Sequence, residues 1–123
     1  MPTREEVLAA LTRQGPFELV VDGSAGFPQR VYRNAPPSFR EVFISTRAHR
    51  ERAFAVYGGE TLTYAQHYRQ AAALARRLLE AGVRKGDRVA VGMRNYPEWS
   101  VAFWACQAIG AIVVALNAWW TSG

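Results

Sequence analysis

Residues 88–115 read RVAVGMRNYPEWSVAFWACQAIGAIVVA, and this stretch decides the fold. The pattern predicts a strand over residues 88–93, where valine alternates with alanine and glycine. Residues 97–109 have helical character and place a proline in the first turn, where no amide hydrogen is needed. Gly110 separates this helix from the β-branched residues 112–114. Strand, helix and strand in this order predict a βαβ unit with parallel strands and a right-handed crossover.

The uncharged end of the sequence admits a second interpretation. All charged residues lie at or before Glu98. Residues 101–120 form an uncharged run with aromatic side chains at both ends, which matches the length and flanks of a transmembrane helix. Gln107 and Asn117 lie inside the run, and Gly110 separates its helical first part from the β-branched residues 112–114. We therefore favour the βαβ unit and keep a single-pass membrane helix over residues 101–120 as the alternative.

The predicted helix over residues 97–109 is apolar on almost every side, so other layers must cover it on both sides. The chain has 123 residues and a mass of 13.7 kDa. The rest of the chain is too short to wrap such a helix, because small domains bury a lower fraction of their surface. The sequence therefore predicts an α/β fold that is a partial, incomplete doubly wound layered sheet.

Three helix starts share a hydroxyl at the cap position and a Glu or Gln three residues later. The hydroxyl accepts a hydrogen bond from a free amide of the first turn, and the Glu or Gln side chain accepts one from the amide of the cap residue. The pairs are Thr3 with Glu6, Ser38 with Glu41, and Thr63 with Gln66. They predict helices over about residues 4–14 and 39–50 and a third helix after Thr63, ended by Gly82. The third helix has an apolar stripe made of Tyr64, Tyr68, Ala71, Ala75, Leu78 and Leu79.

The segments between the helices show strand and turn patterns. Residues 17–21 predict a short strand, and the Gly- and Pro-rich residues 22–37 predict irregular structure. Residues 53–57 and 60–62 flank Gly58-Gly59, which predicts a β-hairpin with a two-residue turn.

Composition and charge exclude several classes of function. A hydrophobic content of 50% excludes a disordered tether. The net charge of +5 suits nucleic acid or an anionic membrane, but the basic residues are scattered singly, so we predict no nucleic-acid partner. Cys106 is the lone cysteine and is expected to be a buried apolar residue. A leader peptide has a basic start followed by an apolar run, whereas this chain has Glu5 and Glu6 there. We therefore predict a cytoplasmic protein.

The sequence offers no catalytic, cofactor-binding or metal-binding residue. His49 and His67 lie on predicted helices without a cysteine or paired carboxylates at ligand spacing, so we expect both to be half-exposed. Neither a G-x-G-x-x-G nor a G-x-x-x-x-G-K-[ST] motif occurs. Asp87 is expected to shape a turn. Trp119 and Trp120 are expected to pack in the interior, with stacking on a ligand as the alternative.

The order of short motifs along the chain resembles the N-terminal part of the AMP-forming acyl-CoA synthetases, which belong to the adenylate-forming superfamily. The resemblance covers about residues 53–120, and residues 39–50 match the helix that precedes them in the family. Residues 117–121 (NAWWT) further resemble the fatty acyl-CoA ligase branch. The motifs are Leu62-Thr63-Tyr64, residues 75–78, Gly82-Val83, residues 86–90, Asn95, Pro97-Glu98-Trp99, Gly110-Ala111 and Leu116-Asn117.

The resemblance implies a lead-in segment over residues 1–52 and a truncated AMP-binding domain over residues 53–123. It also implies a two-step ligase that uses a fatty acid, ATP, Mg²⁺ and coenzyme A. The phosphate loop of the family, T-S-G-T-T-G-x-P-K, has no matching position, and we interpret residues 121–123 (TSG) as a coincidence. We therefore expect an N-terminal fragment that is inactive alone and that needs a complementary chain for the rest of the domain.

Other functions predict other properties. A non-enzymatic interaction fragment would use an exposed strand edge or the apolar helix to bind another chain. A single-pass protein would insert residues 101–120 into a membrane, and a nucleic-acid binder would show steep salt dependence.

Overall fold

The computed structural model describes residues 1–117 and 119, and the chain divides into two compact units after Pro37. The first unit has a helix, α1 (Arg4–Arg13), and an antiparallel hairpin of β1 (Leu19–Asp22) and β2 (Gln29–Tyr32). Strand β2 lies inside the segment that we predicted to be irregular, so that prediction is wrong there. Buried and exposed side chains do not alternate clearly along β2, because only one of its four side chains is half-buried and the others are exposed.

The second unit contains the predicted hairpin and the predicted βαβ unit. Its elements are α2 (Phe39–Ser45), a 3₁₀ helix (Thr46–His49), β3 (Ala53–Tyr57), β4 (Glu60–Thr63), α3 (Tyr64–Glu80), β5 (Arg88–Val91), α4 (Pro97–Ile109) and β6 (Ile112–Ala115). Strands β3 and β4 pair antiparallel. Strands β5 and β6, which precede and follow α4 in the sequence, pair parallel. The α/β class and the parallel pairing are confirmed.

The helix starts follow the predicted capping chemistry. At α1 the Thr3 hydroxyl accepts from the Glu6 amide at 3.2 Å, and the Glu6 carboxylate accepts from the Thr3 amide at 2.7 Å. Helix α3 has the same reciprocal pair, whereas α2 has only the bond from an amide to the Ser38 hydroxyl. The helix predicted over residues 39–50 is regular only to Ser45, because it tightens there into the 3₁₀ helix.

Helix α4 ends before it is long enough to span a bilayer. Gly110 adopts a left-handed conformation with φ of 75°, and strand β6 begins two residues later. Among residues 1–117 and 119, no helix has both the length and the apolar content needed to cross a membrane. The single-helix interpretation of residues 101–120 is therefore wrong.

Helix α4 lies between helices α2 and α3 and the parallel strand pair. One side, with Val101, Trp104 and Ala108, packs against Phe43 of α2 and Ala71 of α3. The other side lies along β6, where Trp99 and Phe103 line a cleft with the strand. Ala105 and Cys106, at the centre of the helix, are 0% and 1% exposed.

Candidate functional site

The carboxyl edge of the parallel strand pair is the candidate functional site. Ligands of open α/β sheets bind outside the carboxyl ends of the parallel strands. Here the residues after β5 and those after β6 meet at this edge and enclose a pocket of about 530 Å³. Its lining comprises Met93, Arg94, Asn95, Tyr96, Trp99, Ala115, Leu116, Asn117 and Trp119.

Backbone bonds and the start of α4 hold the walls of this pocket in place. The Leu116 amide donates to the Val91 carbonyl at 3.0 Å, which extends the parallel pairing one residue beyond β6. Tyr96 occupies the N-cap of α4 and Pro97 its first turn. Trp99 enters the pocket from that same turn. The sheet and the helix together therefore position both loops.

A cation and an aromatic ring are paired in the pocket. The Arg94 guanidinium lies 4.9 Å from the centre of the Trp119 ring. The Trp119 amide donates to the side-chain oxygen of Asn117 at 3.0 Å. Trp119 is 75% exposed, so the expectation that it packs in the interior is wrong, and Trp120 lies outside the described residues. Such a pair offers an indole face and a positive charge to a planar or anionic group.

A second pocket of about 620 Å³ adjoins the first and shares Tyr96 with it. It lies between the β3–β4 hairpin, α3 and the start of α4. The rings of Tyr57 and Tyr96 are 5.2 Å apart. Desolvation, followed by the proximity of Tyr96, raises the pKa of Tyr57 above its ordinary value, so this phenol remains neutral. The two phenols line this pocket as hydrogen-bonding groups.

His67 is buried, contrary to the expectation of a half-exposed helix residue. It is 1% exposed, and its ring stacks on Phe54 at 3.9 Å between centroids. Its Nε2 lies 3.2 Å from the Ser100 hydroxyl, whereas Nδ1 has no hydrogen-bond partner within the described part of the chain. Burial lowers the pKa of the His67 imidazole below its ordinary value. His67 lies four residues before Ala71 and eight before Ala75, on the same buried face of α3, and this spacing could have revealed its burial. His49, in contrast, is exposed.

The remaining polar residues considered from the sequence have structural roles. The Asp87 carboxylate accepts from the Arg84 amide at 2.7 Å and closes the predicted turn. Gly58 and Gly59 have φ of 60° and 84°, which the two-residue hairpin turn requires. Burial raises the pKa of the Cys106 thiol. Over residues 1–117 and 119, no three His, Cys, Asp or Glu side chains gather at metal-binding distance.

The comparisons with known proteins identify the family of this chain. The profile of the family described as "AMP-binding enzyme" matches residues 42–123, which include α3 and the whole β5–α4–β6 unit. The chain belongs to the AMP-binding enzyme family. This member is 48% identical over 61 residues to feruloyl-CoA synthase from Amycolatopsis and 52% identical over 50 residues to acetyl-coenzyme A synthetase from Streptomyces coelicolor. These matches cover 50% and 41% of the chain but only 12% and 8% of the relatives.

Solved structures of AMP-binding enzymes share the fold. The N-terminal subdomain of NpsA from Klebsiella oxytoca superposes with a TM-score of 0.65 and 26% identity, over 68% of this chain and 22% of that one. A Rhodopseudomonas palustris protein assigned as a long-chain-fatty-acid CoA ligase superposes with a TM-score of 0.62 and 30% identity, over the same shares. This family member thus corresponds to a small part of each of these structures.

Proposed function

We propose that this chain provides the opening β/α units of an ATP-dependent fatty acid–CoA ligase. The observation that carries the proposal is the parallel β5–α4–β6 unit, which lies within the residues matched by the family and opens a pocket at its carboxyl edge. In this arrangement residues 1–52 are a lead-in segment and residues 53–123 begin the AMP-binding domain. The β3–β4 hairpin at Ala53 then opens that domain.

The proposed reaction has two steps. A carboxylate oxygen of the fatty acid attacks the α-phosphate of ATP, which gives an acyl-adenylate and releases pyrophosphate. The coenzyme A thiol then attacks the acyl carbonyl, forms a thioester and displaces AMP. In this reaction the chain acts as scaffold: its carboxyl edge shapes one wall of the site, and Arg94 and Trp119 offer a cation and a ring to a bound group. No residue of the chain is proposed as catalytic.

The fatty-acid assignment rests on two similarities. The Rhodopseudomonas palustris structure carries a fatty-acid ligase description, and residues 117–121 resemble the fatty acyl branch. Feruloyl-CoA and acetyl-coenzyme A synthetases also match the chain, so aromatic and short acids are the relevant competitors. The acid is therefore the most direct point to test.

We further propose that the chain is inactive alone, acts in the cytoplasm and requires a complementary polypeptide with the rest of the domain. The sequence supports the proposed inactivity, because it contains no T-S-G-T-T-G-x-P-K phosphate loop. The test is ATP–pyrophosphate exchange by the chain with and without that complement, using palmitate, ferulate and acetate. We expect exchange only in the mixture and only with palmitate. Exchange by the chain without the complement would contradict its inactivity. Exchange by the mixture with ferulate or acetate but not with palmitate would contradict the fatty-acid assignment.

A further inference from the structure

A groove between α2, α3 and α4 lies apart from the carboxyl edge. It consists of two adjoining pockets of about 640 and 240 Å³, which share Arg40, Leu79, Ala108 and Ile109. We call it the three-helix groove. None of its lining residues lines the pocket at the carboxyl edge. The three-helix groove is therefore a different surface from the carboxyl-edge pocket.

The floor of the three-helix groove is apolar. Phe43 is buried at its base and stacks on Tyr68 at 4.6 Å between ring centroids. Ala108 and Ile109 are half-buried, whereas Leu79 is 43% exposed at the groove margin. An apolar floor with an open margin leaves hydrophobic surface for a partner to cover.

The rim of the groove is basic. Arg40, Arg76 and Lys85 reach it from α2, α3 and the turn before β5, and all three are exposed. In the part of the chain that the structure describes, neither pocket has an acidic lining residue, and none of the three cations has a carboxylate within ion-pair distance. Three cations around one apolar floor favour a partner with acidic margins and an apolar stripe.

We propose that the three-helix groove binds an acidic amphipathic helix of a partner protein. Along α3, the lining residues extend from Tyr68 to Leu79, which at the helical rise corresponds to about 16 Å. This length accommodates about three turns of a docked helix, with apolar residues at i, i+4 and i+7 on the floor and carboxylates toward the rim. The concave shape favours a helix over a flat anionic membrane.

The test uses the whole chain and a designed, fluorescently labelled helical peptide of about four turns. The peptide carries Leu on one stripe and Glu on the other face. One control peptide replaces Glu with Lys, and another scrambles the Leu spacing. Fluorescence anisotropy measures binding. We expect only the acidic amphipathic peptide to bind and expect Arg76→Glu to weaken that binding by about tenfold or more.

A matched variant separates the groove from net charge. Arg77 is adjacent to Arg76 on α3 but lies outside the groove lining and within 3.5 Å of Glu80. Arg77→Glu makes the same charge change, and we expect it to leave peptide affinity within about twofold. Circular dichroism confirms that both variants fold. Equal weakening by both variants, equal binding of the Lys or scrambled peptide, binding only to phosphatidylglycerol vesicles, or no binding would each overturn the proposal.

Discussion

Replacing His67 with glutamine should remove an acid-sensitive loss of stability. His67 is 1% exposed between Phe54 and the Ser100 hydroxyl, and burial lowers its pKa below the ordinary value of 6.5. The groups that contact the ring are Phe43, Phe54 and Ser100, and none of them is charged. The folded state therefore takes up a proton at this ring less readily than the unfolded chain does.

The sign and the size of the effect follow from this difference in proton affinity. Above the unfolded pKa of 6.5 the ring is neutral in both states and contributes no pH dependence. As the pH falls below that value, the unfolded state binds the proton first, so the free energy of unfolding decreases until the folded pKa is reached. Within this window the slope approaches about 1.4 kcal/mol per pH unit.

Urea unfolding at a series of pH values between about 5 and 8 measures this slope. His67→Gln keeps a side-chain amide toward Ser100 but cannot titrate, so its free energy of unfolding should lose this slope. His49→Gln is the matched control, because His49 is exposed on the 3₁₀ helix, and it should keep the wild-type slope. Hydrogen bonds from Ser24 lower the pKa of Asp22 below 3.8, so its own stability loss occurs at more acidic pH and does not interfere. A wild-type slope in the His67→Gln variant would show that His67 is not the group that titrates.

Three other predictions concern the core and its turns. Phe43→Ala should lower the free energy of unfolding by about 3–5 kcal/mol in urea, because the ring is 2% exposed, whereas Phe39→Ala, at 60% exposed, should cost under about 1 kcal/mol; similar losses would contradict this. Gly110→Ala should lower the free energy of unfolding by about 1–2 kcal/mol in thermal unfolding. The reason is that φ is 75° at Gly110 and that an added Cβ would meet the Lys85 side chain at 3.0 Å. Gly92→Ala, whose Cβ makes only an ordinary contact at 3.7 Å, is the control, and an equal loss there would argue against the backbone explanation. Cys106, at 1% exposed, should react with a thiol reagent at the rate of unfolding, and rapid labelling of the folded chain would show that the site is open.

The βαβ unit was predictable because its boundaries have local chemical causes. Pro97 fits only the first turn of α4, and Gly110 supplies the left-handed residue that ends it. The capping pair of Thr63 and Gln66 likewise fixes the start of α3 through two short-range hydrogen bonds. These features depend on residues close together in the sequence, so pattern analysis finds them.

The missed features depend on tertiary contacts. Strand β2 is stabilised by its pairing with β1 rather than by its own alternation. The burial of His67 depends on Phe54 and Ser100, which come from other elements. The three-helix groove appears only when Arg40, Arg76 and Lys85, far apart in the sequence, meet around one floor. The carboxyl-edge pocket likewise joins residues that follow two different strands.

We propose that this chain supplies the scaffold of an AMP-binding ligase domain while the rest of the domain supplies the reacting groups. A chimera tests it most directly: the 61-residue segment that is 48% identical replaces its counterpart in the Amycolatopsis feruloyl-CoA synthase. The measurement is ATP–pyrophosphate exchange by the chimera with ferulate and with palmitate. We expect the chimera to fold and to retain exchange with ferulate, the acid in the name of the parent enzyme. A chimera that folds but exchanges with neither acid would contradict the claim.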